Sequence, residues 1–118
     1  MSSKSNRLPH NVFTRVFRAG KRIQCEDLLL IVSPNSQSVS RFAVQVGVKI
    51  DKRATRRNRM KRLIREAIRH LLPSLKSGFD CIVIANSNLS EYKQQDVEKM
   101  LIELYSRPGL AVLQDQVL

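Results

Sequence analysis

Residues 41–72 read RFAVQVGVKIDKRATRRNRMKRLIREAIRHLL, and within them the hydrophobic period changes from that of a strand to that of a helix. Through Arg41–Ile50 the apolar positions alternate. Phe42, Val44, Val46, Val48 and Ile50 share one face and Ala43, Gln45, Gly47 and Lys49 the other, as in a strand with one side against a core. From about Ala54 to Leu72 the spacing is helical: Met60, Leu63, Ile64, Ala67, Ile68 and Leu71 form one stripe, and Pro73 ends the run.

Working outward, Asn11 predicts the N-cap of a short helix whose members Val12, Phe13, Val16 and Phe17 recur at helical spacing, with Gly20 at its C-terminal end. Ile23–Val32 contains the apolar run Leu28–Val32, which predicts a strand buried on both sides, and SPNSQSVS at 33–40 is a turn-rich connection. Downstream, Gly78 and Asp80 lead into the short strand CIVIA at 81–85. Ser90 predicts the N-cap of a last helix, with Glu91 in its first turn and Val97, Met100, Leu101 and Leu104 facing inward; Arg107, Pro108 and Gly109 close it. The order helix, strand, strand, helix, strand, helix describes a small α+β two-layer sandwich in which helices cover a sheet of three or four strands. With 118 residues, 42% of them hydrophobic, a single domain over 1–118 is expected, residues 1–8 and 110–118 being peripheral and flexible. No apolar run approaches the roughly 18 residues of a membrane span, and the first ten residues lack the apolar stretch of a signal peptide, so the expectation is a cytoplasmic protein without a membrane partner.

The charge is unevenly placed. The chain carries +11 in all, divided as +5 over residues 1–48, +8 over 49–70 and −2 over 71–118. Eight net positive charges in 22 residues repel one another unless a polyanion matches them, and a merely solvated helix face would interleave acids at i,i+4. Glu66 is the only acid after Asp51 in that window. At about 100° per residue Asn58, Arg62, Arg65 and Arg69 fall within about 60° of one another, opposite the apolar stripe. Arginine outnumbers lysine there, and its planar fork binds phosphate bidentately or stacks on a base. The helix N-terminus adds backbone amides where Lys52, Arg53, Arg56 and Arg57 gather. A leucine-zipper basic region is excluded because Pro73 cuts the helix before a further heptad, and a helix-turn-helix because strands flank this helix, so RNA is favoured and no DNA partner is expected.

The stretch VQVGVKIDKRATRRNRMKRLIREAIR, Val44 to Arg69, resembles the signature of the protein subunit of bacterial ribonuclease P, centred on Arg57, Asn58 and Arg59. FTRVFRAGKR at 13–22 is similar to that family's first helix, and FDCIVIA with the helix after Ser90 to its C-terminal third. The resemblance implies a ribosomal-protein-like domain with a left-handed βαβ crossover. It also implies a cofactor role beside a catalytic RNA that, with bound Mg²⁺, hydrolyses the phosphodiester joining the 5′ leader to precursor tRNA. Carried over by position, Arg56, Arg57, Asn58, Arg59, Lys61, Arg62 and Arg65 would meet the RNA subunit, with Lys49, Lys52 and Arg53 extending that surface. Phe13 and Phe17 would line a cleft for the single-stranded leader. Four residues apart on one helix face, these rings either pack against the sheet or offer surfaces on which bases stack, and the two roles are compatible. The rival reading is a ribosomal or general RNA-binding protein of similar fold.

Catalysis by the protein itself finds no support. His10 sits in the N-terminal segment, His70 favours the helix dipole, and Cys25, Cys81, His10 and His70 lack the pair spacing of a zinc site, the cysteines reading as reduced core thiols. Asp51 beside Lys52 reads as a local ion pair before it reads as a ligand for hydrated Mg²⁺.

Overall fold

The computed structural model describes residues 6–75 and 77–106. Among them the chain runs α1 (His10–Ala19), β1 (Lys21–Gln24), β2 (Leu28–Pro34), β3 (Arg41–Gln45), α2 (Ala54–Leu71), a single 3₁₀ turn (Leu72–Ser74), β4 (Phe79–Ala85) and α3 (Gln94–Tyr105). The four strands lie in the order β1-β2-β4-β3, antiparallel except for the parallel pair β3 and β4 that α2 connects. The expected α+β sandwich is therefore present, with four strands.

Register explains why Leu28–Val32 is apolar at every position. Leu28, Leu30 and Val32 join Phe42, Val44, Cys81, Val83 and Ala85 on one face, beneath Met60, Ile64, Ala67 and Ile68 of α2 and Val97, Leu101 and Leu104 of α3. Each Leu, Ile, Val, Met or Phe side chain among them contributes about 1.5–3 kcal/mol when fully buried. Ile31 and Ile82 point the other way and form a second, smaller core with Leu8 and Val16, to which Val12, Phe13, Leu29, Ala43 and Ile84 add half-buried contacts. Thus α2 and α3 cover one face of the sheet completely, and α1 covers the other in part.

Several expectations are corrected. Asn11 lies inside α1, and Pro9 is its N-cap, the Pro9 carbonyl accepting from the N–H groups of Val12 (3.0 Å) and Phe13 (3.2 Å). Pro9 has a helical φ of −62° but an extended ψ of 145°, so it stands just outside the helix, where its missing donor costs nothing. The single strand read over Ile23–Val32 is two strands joined by a turn at Cys25–Asp27, where Cys25 N–H donates to the Leu28 carbonyl at 2.9 Å. The strand read through Ile50 stops at Gln45, because its neighbour β4 ends at Ala85 and a turn closed by Ile50 N–H to the Gly47 carbonyl (3.0 Å) redirects the chain into α2. Val48 consequently stands 61% exposed. α3 starts at Gln94, not at Ser90: the Asn88 side chain accepts from Ser90 N–H (2.9 Å), Leu89 is buried, and Asp96 accepts from the N-cap Lys93 N–H (2.9 Å). Part of the expected N-terminal arm is ordered, since Leu8 is buried and its N–H donates to the Phe42 carbonyl at 2.9 Å. Residues 1–5 and the expected 107–109 helix stop and 110–118 tail lie outside the described residues.

Candidate nucleic-acid interface

The approach to α2 is built by one buried acid. Asp51 accepts Arg53 N–H (2.9 Å) and pairs with the Arg53 guanidinium (3.1 and 3.2 Å), while the Asn88 amide reaches it from the loop after β4 (3.3 Å). The Arg53 hydrogen bonds hold the Asp51 carboxyl well down, at about 2. Arg57 donates to the carbonyls of Asp51 (3.1 Å) and Lys52 (2.9 Å) and so staples the same loop to the first turn of the helix. Two of the residues expected on the RNA-facing surface, Arg53 and Arg57, thus also build the loop that presents the others. That loop encloses an open hollow of about 520 Å³ lined by Val48, Lys49, Asp51, Lys52, Arg53 and Asn88, among others.

Beyond the first turn the helix is two-sided. Met60, Ile64, Ala67, Ile68 and Leu71 are buried, and Asn58, Arg59, Arg62, Arg65 and Arg69 are exposed. Arg69 is paired with Glu66 at 2.8 Å. Among the described residues, Lys49, Lys52, Arg56, Arg59, Lys61, Arg62 and Arg65 have no carboxylate within ion-pair distance. The structure brings these seven onto α2 and the loop before it, an uncompensated cationic surface that attracts a phosphate backbone.

The second candidate surface lies on the α1 side of the sheet. Phe13 and Phe17 are stacked, centroids 6.0 Å apart and planes inclined by 14°. Phe13 is half-buried against the small core, whereas Phe17 is 38% exposed. The floor beside them was not legible in the sequence: Gln24, Leu29, Ile84 and Gln45 sit opposite one another across β1, β2, β4 and β3, so that two half-buried aliphatic residues are flanked by two exposed amides. A hollow of about 300 Å³ lined by Gln45, Val46, Gly47, Lys61 and Ile84 joins this floor to α2. Only the β1 and β2 register could have found that row, because both faces of β2 are apolar.

Several other polar groups have structural partners. Asp80 is buried and receives a bidentate contact from Arg41 (2.8 Å twice) and a bond from Asn35 (2.9 Å), which ties the β2–β3 connection to β4; the carboxylate's hydrogen bonds raise the Arg41 pKa. His70 meets Glu98 at 2.9 Å and links α2 to α3, a role beyond the dipole contact expected of it. Burial pushes the Cys81 thiol up to about 12, far from a reactive thiolate. Among the described residues no group of three His, Cys, Asp or Glu is placed to hold a metal ion. Asp51 does not fit Mg²⁺, because both its oxygens are engaged by Arg53 and a cation would have to displace that guanidinium. No helix of the described residues is long and apolar enough to cross a membrane.

Known proteins resemble this chain in sequence and fold. A family model described as ribonuclease P matches residues 2–109. The chain is 35% identical over 109 residues to the ribonuclease P protein component of Clostridium botulinum (91% of this chain, 97% of the relative) and 37% identical over 109 residues to that of Synechocystis (91% and 88%). The RNase P protein of Thermotoga maritima, solved with 1-(4-fluorophenyl)-2-thiourea, has a TM-score of 0.76 to it at 33% identity, over 86% of this chain and 98% of that one. A Staphylococcus aureus RNase P protein, at 21% identity and TM-score 0.76, shares the fold, over 91% of this chain and 98% of that one. A strand-fed arginine helix on this fold, with matches along nearly the whole chain, places the protein in the ribonuclease P protein component family, and it is a component of that tRNA-processing ribonucleoprotein nuclease.

Proposed function

We propose that the protein docks on the RNA subunit of ribonuclease P through Lys49, Lys52 and the α2 residues Arg56, Asn58, Arg59, Lys61, Arg62 and Arg65, with Arg53 and Arg57 shaping the loop between them. It holds the 5′ leader of precursor tRNA in the cleft of Phe13 and Phe17. The single observation that carries the reading is the run of cations on α2 that no carboxylate among the described residues matches. Two polyanions have to meet for leader removal, and a cationic surface continuous with an apolar cleft lowers their mutual repulsion while giving the leader bases somewhere to rest. The phosphodiester hydrolysis belongs to the RNA subunit and its Mg²⁺; the protein supplies charge, contact area and placement, in the cytoplasm where precursor tRNA is made.

Adding the protein to its RNA subunit at low Mg²⁺ should raise precursor cleavage; a ribosomal or general RNA-binding protein would leave the rate unchanged. Phe17→Ala should weaken leader-bearing precursor by about 1–3 kcal/mol, the value of one lost stack, and leave mature tRNA binding alone. An equal loss for both substrates would assign Phe17 to the core.

A further inference from the structure

Phe17 does not offer a bare ring. Phe13 lies one helical turn toward the N-terminus and stacks on it at 6.0 Å. From the other end comes Arg22, the second residue of β1, whose guanidinium carbon stands 4.7 Å from the Phe17 ring centroid. The Arg22 Nη2 donates to the Phe17 carbonyl at 2.8 Å, and this bond anchors the guanidinium beside the ring at the C-terminal end of α1. Phe13, Phe17 and Arg22 thus form one contiguous cluster in which Phe17 meets both of the others. Arg22 is exposed and has no carboxylate partner among the described residues. It shares a row with Ile31 and Ile82, next to the Gln24–Leu29–Ile84–Gln45 floor.

We propose that Arg22 is a leader-binding residue and the outer platform of this cluster: a leader base stacks on the face of its guanidinium turned away from the Phe17 ring, and a remaining N–H of the fork reaches the adjacent phosphate. The inference rests on the leader-cleft reading above and changes it in one respect, namely which group the base meets. A guanidinium plane held over an aromatic ring stacks on any base and also carries the charge that a phenyl ring lacks. The anchoring bond to the helix carbonyl holds the plane before the base arrives, so little ordering remains to be done on binding. A lysine cannot replace it, because an ammonium gives the charge without the plane.

The test uses the full chain assembled with its RNA subunit and compares Kd for precursor tRNA carrying a leader with Kd for mature tRNA. Arg22→Ala should lose roughly 5- to 150-fold in the leader-dependent ratio, the range for one stacked base, and Arg22→Lys should recover only a small part of it. A leader with a single abasic nucleotide, moved position by position, should reveal one site where the wild type loses affinity and Arg22→Ala loses nothing further. Because Arg22 is exposed, the melting temperature should hardly move. Wild-type binding by Arg22→Lys, or no abasic position that cancels the Arg22→Ala loss, would overturn the platform while the Phe17→Ala effect kept the cleft reading intact. If neither Phe17→Ala nor Arg22→Ala altered the leader-dependent ratio, the cleft reading itself would fail.

Discussion

Replacing Arg62 and Arg65 together by glutamine tests the charge reasoning most directly. Both side chains are exposed on one ridge of α2, neither has a carboxylate partner among the described residues, and glutamine keeps helix propensity close to that of arginine. Each guanidinium that neutralises a phosphate contributes about −0.7 to −0.9 to the slope of log K against log salt, so the double variant should be shallower by about 1.4–1.8. At 0.15 M salt that slope corresponds to a roughly 15- to 30-fold weaker complex with the RNA subunit, or about 1.6–2 kcal/mol. Exposed substitutions of this kind cost within about 0.5 kcal/mol of stability, so the melting temperature should move by no more than about 3 °C. The assay is filter binding or anisotropy against the RNA subunit at several salt concentrations. Arg69→Gln is the internal control: its guanidinium donates twice to Glu66, at 2.8 and 3.0 Å, so the slope should change less than for either ridge arginine. A double variant with wild-type slope and wild-type melting temperature would refute the claim that this ridge faces phosphate.

Three further outcomes follow from the packing and the buried ion pairs. Asp51 titrates at about 2 in the fold against an ordinary 3.8, so its clamp on Arg53 stabilises fully above about pH 4 and is lost as pH falls toward 2; Arg53→Ala should raise the midpoint seen by carboxyl NMR, and an unmoved midpoint would contradict the cause. Arg41→Met leaves Asp80 charged and buried without its bidentate partner and should cost about 3–5 kcal/mol in urea unfolding, largely restored by adding Asp80→Leu; a loss under 1 kcal/mol would mean the pair does not hold β3 to β4. Gly20→Ala should cost about 1–3 kcal/mol in the same assay, because an added Cβ would stand 2.6 Å from Ile31 Cγ2 and 2.7 Å from the Val16 carbonyl oxygen; a neutral result would show that α1 shifts freely on the sheet.

The sequence shows α2 clearly because one face of that helix is covered and the other is not, so burial writes its period directly into Met60, Ile64, Ala67, Ile68 and Leu71. β2 hides its orientation for the opposite reason: with a core on each side, Leu28–Val32 carries no alternation to read. Gly20 was legible as a helix end, yet its φ of −69° shows the reason to be close approach of α1 to Ile31 and not a left-handed cap. The contacts of Arg53 with Asp51 and of Arg57 with the carbonyls behind it span two, five and six residues around an irregular loop, where no hydrophobic periodicity reports which side chains meet. The Arg22 and Phe17 contact likewise depends on a turn from helix into strand at Gly20 that only the folded chain displays.

The placement of the acids near α2 completes the electrostatic argument. Asp51 sits before the helix and is consumed by Arg53; Glu66 is consumed by Arg69; Glu98 reaches back from α3 to His70. All three lie at or near the helix ends, where they steady the entry loop and the last turn, and none matches the stretch from Arg56 to Arg65. A helix selected only for stability would gain from a carboxylate one turn from each arginine in that stretch, at about 0.3–0.5 kcal/mol per pair. It would then also be neutral where a phosphate backbone has to lie. The chain leaves the stretch from Arg56 to Arg65 bare and keeps its pairs in the entry loop, toward the C-terminal end of α2 and between α2 and α3. Introducing glutamate at Asn58, four residues before Arg62, should therefore raise the melting temperature slightly while flattening the salt dependence of RNA binding. A stabilised variant that bound RNA as steeply as the wild type would show that the bare cations serve something other than phosphate.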